Sequence, residues 1–367
     1  MAGGGTAGHV NPLLAVADEL RRRDPSTGVV VLGTSTGLET RLVPARGYPL
    51  VEIPRVPLPR RPTLDWFRLP GRLRAAVRAV ADVIAERGVD VVVGFGGYVS
   101  TPAYLAARRA GVPVVIHEQN ARPGLANRLG ARWARTVATT FPGTPLRGAQ
   151  VTGLPLRPEI AALVEALVAD PVAVRTRAAR ALELDPELPT LLVTGASSGA
   201  VSLNRALAGA AGDLLAAGAQ VLHLTGAGKA DLVRSAVDGL PGAGRYHVLE
   251  YLDAMQDGLA VADLAVCRAG AGTVMELAAA GVPSVFVPLP VGNGEQRLNA
   301  APVVAAGGGL LVADADLTPA WLREHVVPLL GDADRLAAMR AGARSVGAAD
   351  GASRVADLVL AAAGERR

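Results

Sequence analysis

Short apolar runs, each closed by glycine, proline or a polar turn, alternate along this chain with stretches of helical periodicity, and that alternation limits the possible folds more than any other feature. The runs are "GVVVLGT", "DVVVGF", "VPVVIHE", "LPTLLVTG", "AQVLHLTG", "ADLAVCR" and "VPSVFVP". Strands so short and so uniformly apolar must be buried on both faces, as in a parallel sheet covered by helices. Helical stretches such as 199–217 and 318–329 lie between them. The predicted fold class is α/β, doubly wound, and 367 residues are enough for two such domains. The proline-punctuated stretch from about 150 to 188 reads as the crossing, with a boundary near 155 and domains over 1–155 and 156–367. Only 3% of residues are aromatic, so packing must rest on Ala, Val and Leu.

The chain opens "MAGGGTAGHVNP", a glycine-rich turn running into an apolar-periodic helix. Such a turn hangs from the end of a buried strand, yet no apolar run precedes this one, so the first strand is expected to be missing from the sequence. Gly3, Gly5 and Gly8 satisfy a dinucleotide fingerprint, but Thr34, Ser35 and Thr36 stand where the ribose-binding acid belongs. A merely tight turn is an equal reading of the glycines alone. His9 falls at the helix start, where the dipole disfavours imidazolium and leaves the ring free to accept a proton.

Polar residues also gather at the ends of later runs. Tyr98 and Ser100 follow "DVVVGF", and His117, Glu118 and Asn120 end "VPVVIHEQN", all on the rim where open α/β sheets bind ligands. In the second half, Ser197 in "GASSGA", Glu276 beyond Gly272 in "CRAGAGTVMEL", and Glu295, Gln296 and Asn299 suit phosphate or sugar hydroxyls. "TGAGKA" is not a P-loop, since His223 and Ala230 replace its first glycine and its metal-binding hydroxyl. The "DAD" stretches at 314–316 and 332–334 precede helices and read as caps rather than metal ligands.

Charge divides the chain. Residues 1–156 hold 20 arginines against 10 acidic residues, whereas 157–367 hold 17 basic against 23 acidic, so the first half should prefer an anionic partner, nucleic acid or a phospholipid surface. A single cysteine, Cys267, allows no internal disulfide and fits a reducing cytoplasm. No run is long enough to span a membrane and no signal peptide opens the chain, so the protein is expected to be soluble or peripheral.

Taken in order, "GGGTAGHVNP", "GFGGYVSTP", "HEQNARPGLANR", "CRAGAGTVMELAAAGVPSVFVPLP" and "GNGEQRLNA" resemble the MurG family of N-acetylglucosaminyltransferases, especially its actinobacterial members. The resemblance implies a GT-B fold, two Rossmann-like domains facing a cleft, with acceptor and membrane served by the first and UDP-GlcNAc by the second. It implies inverting transfer of N-acetylglucosamine from UDP-GlcNAc to the muramoyl C4 hydroxyl of lipid I, forming lipid II at the cytoplasmic face of the cell membrane. No cofactor is required, though divalent metal could stimulate, and the partners are UDP-GlcNAc, lipid I and an anionic membrane surface, with no nucleic acid.

Carried over by position, the resemblance makes His9 the catalytic base or an acceptor contact. Thr6, Ala7, Gly8, Asn120, Arg157, Ser197, Leu252, Ala271, Gly272, Thr273, Glu276 and Gln296 become donor contacts. Tyr98, Ser100, His117 and Glu118 are weaker acceptor candidates, and Trp66, Phe67 and Leu69 among Arg60, Arg61, Arg68 and Arg72 form the expected membrane patch. Three departures bear on donor affinity: Ala196, Ser198 and Val201 stand where the family carries glycine, glutamine and arginine. A UDP-GlcNAc 2-epimerase on the same fold and a non-catalytic UDP-sugar binder are the alternatives.

Overall fold

The computed structural model describes residues 1–56, 65–196 and 199–364, and of 65–68 the backbone alone. Two compact units divide the chain, Met1–Arg157 with the segment from Ala349 onward, and Pro158–Ala348. The strands of the first are β1 Ala2–Gly3, β2 Val31–Gly33, β3 Leu50–Glu52, β4 Val92–Gly96, β5 Val114–Glu118, β6 Thr136–Thr139 and β7 Ala149–Val151. They pair in parallel in the order β3-β2-β1-β4-β5-β6-β7. Those of the second are β8 Thr190–Thr194, β9 Gln220–Leu224, β10 Tyr246–Leu249, β11 Leu264–Cys267, β12 Ser284–Phe286 and β13 Gly309–Leu311, in the parallel order β10-β9-β8-β11-β12-β13. In each sheet the order reverses beside the first strand, β1 against β4 and β8 against β11. Ligands of open α/β sheets bind at the carboxyl ends of strands flanking such a point.

Burial follows the sequence pattern. Every residue of β4, β5, β8 and β9 is buried, whereas the edge strands β3 and β7 are half wet. In the first unit, Val10, Leu13, Val16, Ala17 and Leu20 of helix Ala7–Arg23 cover one face of the sheet against Val31, Phe95 and Val115. Val77, Val80 and Tyr104 cover the other against Leu32 and Ile116. Each large aliphatic side chain so buried stabilises the fold by about 1.5–3 kcal/mol before conformational entropy is counted.

Two expectations are corrected. The first strand is not missing: Ala2 pairs with Leu32 on one side and with Gly94 on the other, Gly3 pairs with Gly96, and the Leu32 N–H donates to the Met1 carbonyl at 2.8 Å. Its brevity hid it, because two small residues make no apolar run. Second, the domain over 156–367 does not hold together as one unit. Helix Gly351–Gly364 returns to the first unit and lays Val355, Ala356, Val359 and Ala362 into the core beside helix Ala7–Arg23. Arg23 fixes it there through Asp357 and the Ser353 hydroxyl and carbonyl. A lesser difference is that the helices expected over 199–217 and 318–329 each divide in two, turning at Ala210 and Val326.

Candidate active site

The glycine turn after β1 already holds an anion, and the chain itself supplies it. Glu39, fully buried, accepts the Gly5 N–H at 2.8 Å and both the N–H and the hydroxyl of Thr34 at 3.0 Å. A Cβ at Gly4, Gly33 or Gly37 would fall 2.7, 2.7 or 1.9 Å from the Glu39 side chain, so small residues surround the carboxylate because nothing larger fits. Burial pushes the Glu39 carboxyl up, but hydrogen bonds from the backbone of Gly5, Glu39 and Thr34 outweigh it and hold the group below its ordinary value. It is therefore ionised at neutral pH.

Beyond that turn begins helix Ala7–Arg23, with Thr6 as its N-cap residue. The His9 and Val10 amides donate to the Thr6 carbonyl at 3.1 and 3.2 Å, and those of Ala7 and Gly8, which precede them, have no acceptor within the helix, as at any helix start. His9 Nδ1 lies 3.0 Å from Thr6 Oγ1. Burial pulls the His9 imidazole below its ordinary value, opposed by the nearby Gly4 backbone and by the charge of Glu39. The ring is neutral at pH 7 and can take a proton.

A second glycine turn presses against the first. Gly96 and Gly97 have φ of +94° and +82°, and a Cβ would fall 3.2 Å from the His9 ring at Gly96 and 2.6 Å from the Gly4 carbonyl at Gly97. Beyond β5, Glu118 accepts the Asn120 and Gly124 amides at 3.0 Å and Asn127 Nδ2 at 2.9 Å, which shapes the loop bearing Asn120. Burial nevertheless raises the Glu118 carboxyl above its ordinary value.

Ser100, His117 and Glu118, expected as acceptor contacts, are buried side chains engaged within the fold. The Ser100 hydroxyl lies 2.7 Å from the Gly96 carbonyl and 3.1 Å from the Ala2 carbonyl, and accepts the Gly96 amide. His117 Nε2 meets the Gly153 carbonyl at 3.0 Å, and burial pushes the ring down to about 4. These hydrogen bonds hold the loops in place. Tyr98 alone of the four is exposed, with the Arg55 guanidinium 5.1 Å from its ring centre. Asn127, which joins Tyr104, His117 and Glu118, is a residue that sequence reasoning missed, although it lies within the motif "HEQNARPGLANR".

In the second unit, Ala271, Gly272 and Thr273 form the first turn of helix Ala271–Ala280, and Glu276 lies half-buried one turn on. Gln296 is turned partly inward: its Oε1 accepts the Ala269 amide at 3.2 Å and the Leu289 amide at 3.0 Å, which pins the ends of β11 and β12 together. Leu252 is half-buried against Gly258, and Arg157, also half-buried, is the last residue of the first unit before the crossing. Arg268, which sequence reasoning also missed, pairs with Asp314 and reaches Ser202 Oγ at 2.9 Å and the Val287 carbonyl at 3.1 Å. Asp314 is thus an ion-pair partner rather than the expected cap, whereas Asp332 does cap its helix by accepting the Arg335 amide.

Ser197, Arg60 and Arg61 lie outside the described residues, as do the side chains of Trp66, Phe67 and Arg68. Leu69 is half-buried and Arg72 exposed on helix Asp65–Arg87. Before Ser197, Ala196 adopts φ +60°, the left-handed conformation natural to the glycine it replaces. That conformation costs an alanine about 1 kcal/mol or more. Ala196→Gly is expected to raise stability by about 0.5 kcal/mol, after the greater freedom of glycine in the unfolded chain is subtracted, and to lower the KM for a diphosphate donor severalfold. Thermal melts and initial rates check this, and a lower melting temperature with unchanged KM contradicts it.

Comparison with known proteins bears directly on this arrangement. Residues 1–139 match the glycosyltransferase family 28 N-terminal domain and residues 190–355 its C-terminal domain. A UDP-N-acetylglucosamine--N-acetylmuramyl-(pentapeptide) pyrophosphoryl-undecaprenol N-acetylglucosamine transferase of Clavibacter sepedonicus is 58% identical over 367 residues, spanning 100% of this chain and 96% of that one. The protein of the same name from Streptomyces coelicolor is 53% identical over 350 residues, spanning 95% and 94%. The crystal structure of Acinetobacter baumannii MurG superposes with a TM-score of 0.77 at 30% identity, covering 98% of each chain. A putative UDP-N-acetylglucosamine 2-epimerase from Listeria monocytogenes shares the fold alone, with a TM-score of 0.68 at 16% identity over 97% of this chain and 94% of that one.

Proposed function

The chain belongs to glycosyltransferase family 28, in its MurG branch, and from that premise we propose how its residues divide the work of glycosyl transfer. It is a GT-B glycosyltransferase that moves N-acetylglucosamine from UDP-N-acetylglucosamine to N-acetylmuramyl-(pentapeptide) pyrophosphoryl-undecaprenol. The observation that carries this is likeness along the whole chain to transferases of that name.

In the proposed mechanism His9 takes the proton of the muramoyl C4 hydroxyl while its oxygen attacks the anomeric carbon. The bond to phosphate breaks with its electron pair leaving on UDP, and the configuration inverts in one displacement. The helix-start amides of Ala271, Gly272 and Thr273, with Ser197, meet the charge that grows on the diphosphate. Leu252 and Glu276 hold the nucleoside, and Asn120, Arg157 and the Nε2 amide of Gln296 hold the donor. Thr6, Ala7 and Gly8 bring the outward amides of the first unit to the reacting sugar, and Tyr98 lines the acceptor side. The reading requires no cofactor. Labelled transfer from UDP-GlcNAc to a short-chain lipid I analogue tests it, with UDP-ManNAc formation from donor alone as the outcome that favours the epimerase.

The proposed location is peripheral, on the cytoplasmic face of an anionic membrane. The arginine excess of residues 1–156 supports it, as do Arg72 and Arg74, exposed on helix Asp65–Arg87 next to Trp66 and Phe67 in the sequence. Among the described residues no helix is long and apolar enough to cross a membrane. Co-sedimentation with anionic vesicles is expected to exceed that with neutral ones and to fall in W66A/F67A and in high salt. Equal binding under all these conditions contradicts the location.

A further inference from the structure

We propose that Glu39 is a positioning residue for His9 and acts on it through a single peptide group, the one joining Gly4 to Gly5. The N–H of that peptide, on Gly5, donates to Glu39 Oε2 at 2.8 Å, and its carbonyl, on Gly4, packs against Gly97 while the His9 ring packs against Gly96, so the Gly4 backbone favours a proton on the ring. Carboxylate, peptide dipole and imidazole therefore stand in series, with the negative end of the dipole toward the ring. The inference rests on the reading of His9 as the base.

Three observations make this an arrangement rather than an accident of packing. The carboxylate is buried with no cation on it among the described residues, and its partners are backbone amides and one hydroxyl. A buried charge is tolerated only when its hydrogen bonds are satisfied, and here every partner is a donor aimed at it. Glycine at 4, 33 and 37 admits the carboxylate, and glycine at 96 and 97 admits the ring and the Gly4 carbonyl, so both ends of the series are held by close backbone approach. The ring's other neighbours, Thr6, whose Oγ1 lies 3.0 Å from Nδ1, and Gly96 on β4, carry no charge. Glu39 is the charged side chain that acts on His9 among the described residues.

The chemical consequence is specific. With the ring proton on Nδ1, donated to Thr6 Oγ1 at 3.0 Å, Nε2 is left as the acceptor. When that acceptor takes the hydroxyl proton, the ring becomes imidazolium, and the ionised Glu39 stabilises it through the polarised peptide. The role matches that of a buried aspartate behind a catalytic histidine, with a peptide group interposed. It also explains how a glycine turn can look like a phosphate site and yet serve as a support, its inward amide already taken.

The test uses the full-length protein labelled in histidine and glycine. In Glu39→Gln the midpoint of His9 titration by NMR is expected to fall by about half a pH unit or more. The kcat should fall about 10- to 100-fold, as for residues that orient another functional group, with KM for UDP-GlcNAc within about twofold. In the unaltered protein the Gly5 amide and Gly4 carbonyl resonances should shift with the same midpoint as His9, a readout that does not depend on the variant folding. If those resonances ignore His9, or if E39Q loses stability while its His9 midpoint and kcat stay put, the proposal is overturned. A fully active His9→Ala overturns the base reading and this proposal together. An inactive His9→Ala beside an unaltered E39Q overturns this proposal alone.

Discussion

Replacing His9 by alanine is expected to lower kcat about a hundredfold or more while UDP-GlcNAc binding stays nearly intact, as follows from loss of a general base that does not hold the donor. The imidazole stands at the start of helix Ala7–Arg23, within 3.0 Å of Thr6 Oγ1, and burial keeps it below its ordinary value so that the base form prevails at pH 7. The pH profile has a definite sign. As pH falls the ring gains its proton and loses its function, so kcat/KM should drop on the acid side with a midpoint below the ordinary histidine value of 6.5. That limb should vanish in the variant. Weakened donor binding with unchanged turnover would instead make His9 a donor contact.

Mild acid is expected to weaken both units by a comparable amount, each through one buried histidine. Burial pushes His117 down to about 4 and His223, held between Asn204 and Tyr246, down to about 3. Both are bases whose folded value lies below the unfolded value of 6.5, so the unfolded chain binds protons first. Their contribution is whole above 6.5 and is lost as pH falls toward about 4 and about 3. By pH 5 this amounts to about 2 kcal/mol in each unit. Glu118, raised by burial, works the other way in the first unit, so the second unit gives the cleaner slope. Hydrogen exchange at the β9 amides, compared between pH 7.5 and 5 after correction for intrinsic rates, measures it. Equal opening free energies at the two values would contradict the prediction.

The seven apolar runs all fall in strands, because a strand buried on both faces must announce itself by composition. The strands that sequence reading passes over are those for which that rule relaxes. β3, β7, β10 and β13 lie at an edge with partly exposed residues, threonine brackets β6, and β1 is Ala-Gly. The return of helix Gly351–Gly364 to the first unit was equally silent, since amphipathicity shows that a face is covered and not by which core. In the site, His9 was legible from its glycine turn and the helix behind it. Glu39 was not: it lies 34 residues from Gly5 at the start of a short helix, where a glutamate reads as a solvated first-turn acid. The burial of Ser100, His117 and Glu118 was hidden for another reason, because position on a carboxyl rim says nothing about which way a side chain turns.

The returning helix also sets the order in which this protein can be finished during synthesis. Pro158–Ala348 is continuous in the chain and is complete as soon as residue 348 has left the ribosome. The unit made first must wait: until residues 351–364 emerge, Val355, Ala356, Val359 and Ala362 cannot fill the core beside Val10, Leu13 and Val16, and Arg23 lacks Asp357 and Ser353. A nascent chain therefore carries an open apolar face at its leading end through most of translation, which is when trigger-type chaperones and proteases meet it. The usual order, N-terminal domain first, is reversed, and the half that carries His9 is the last to close.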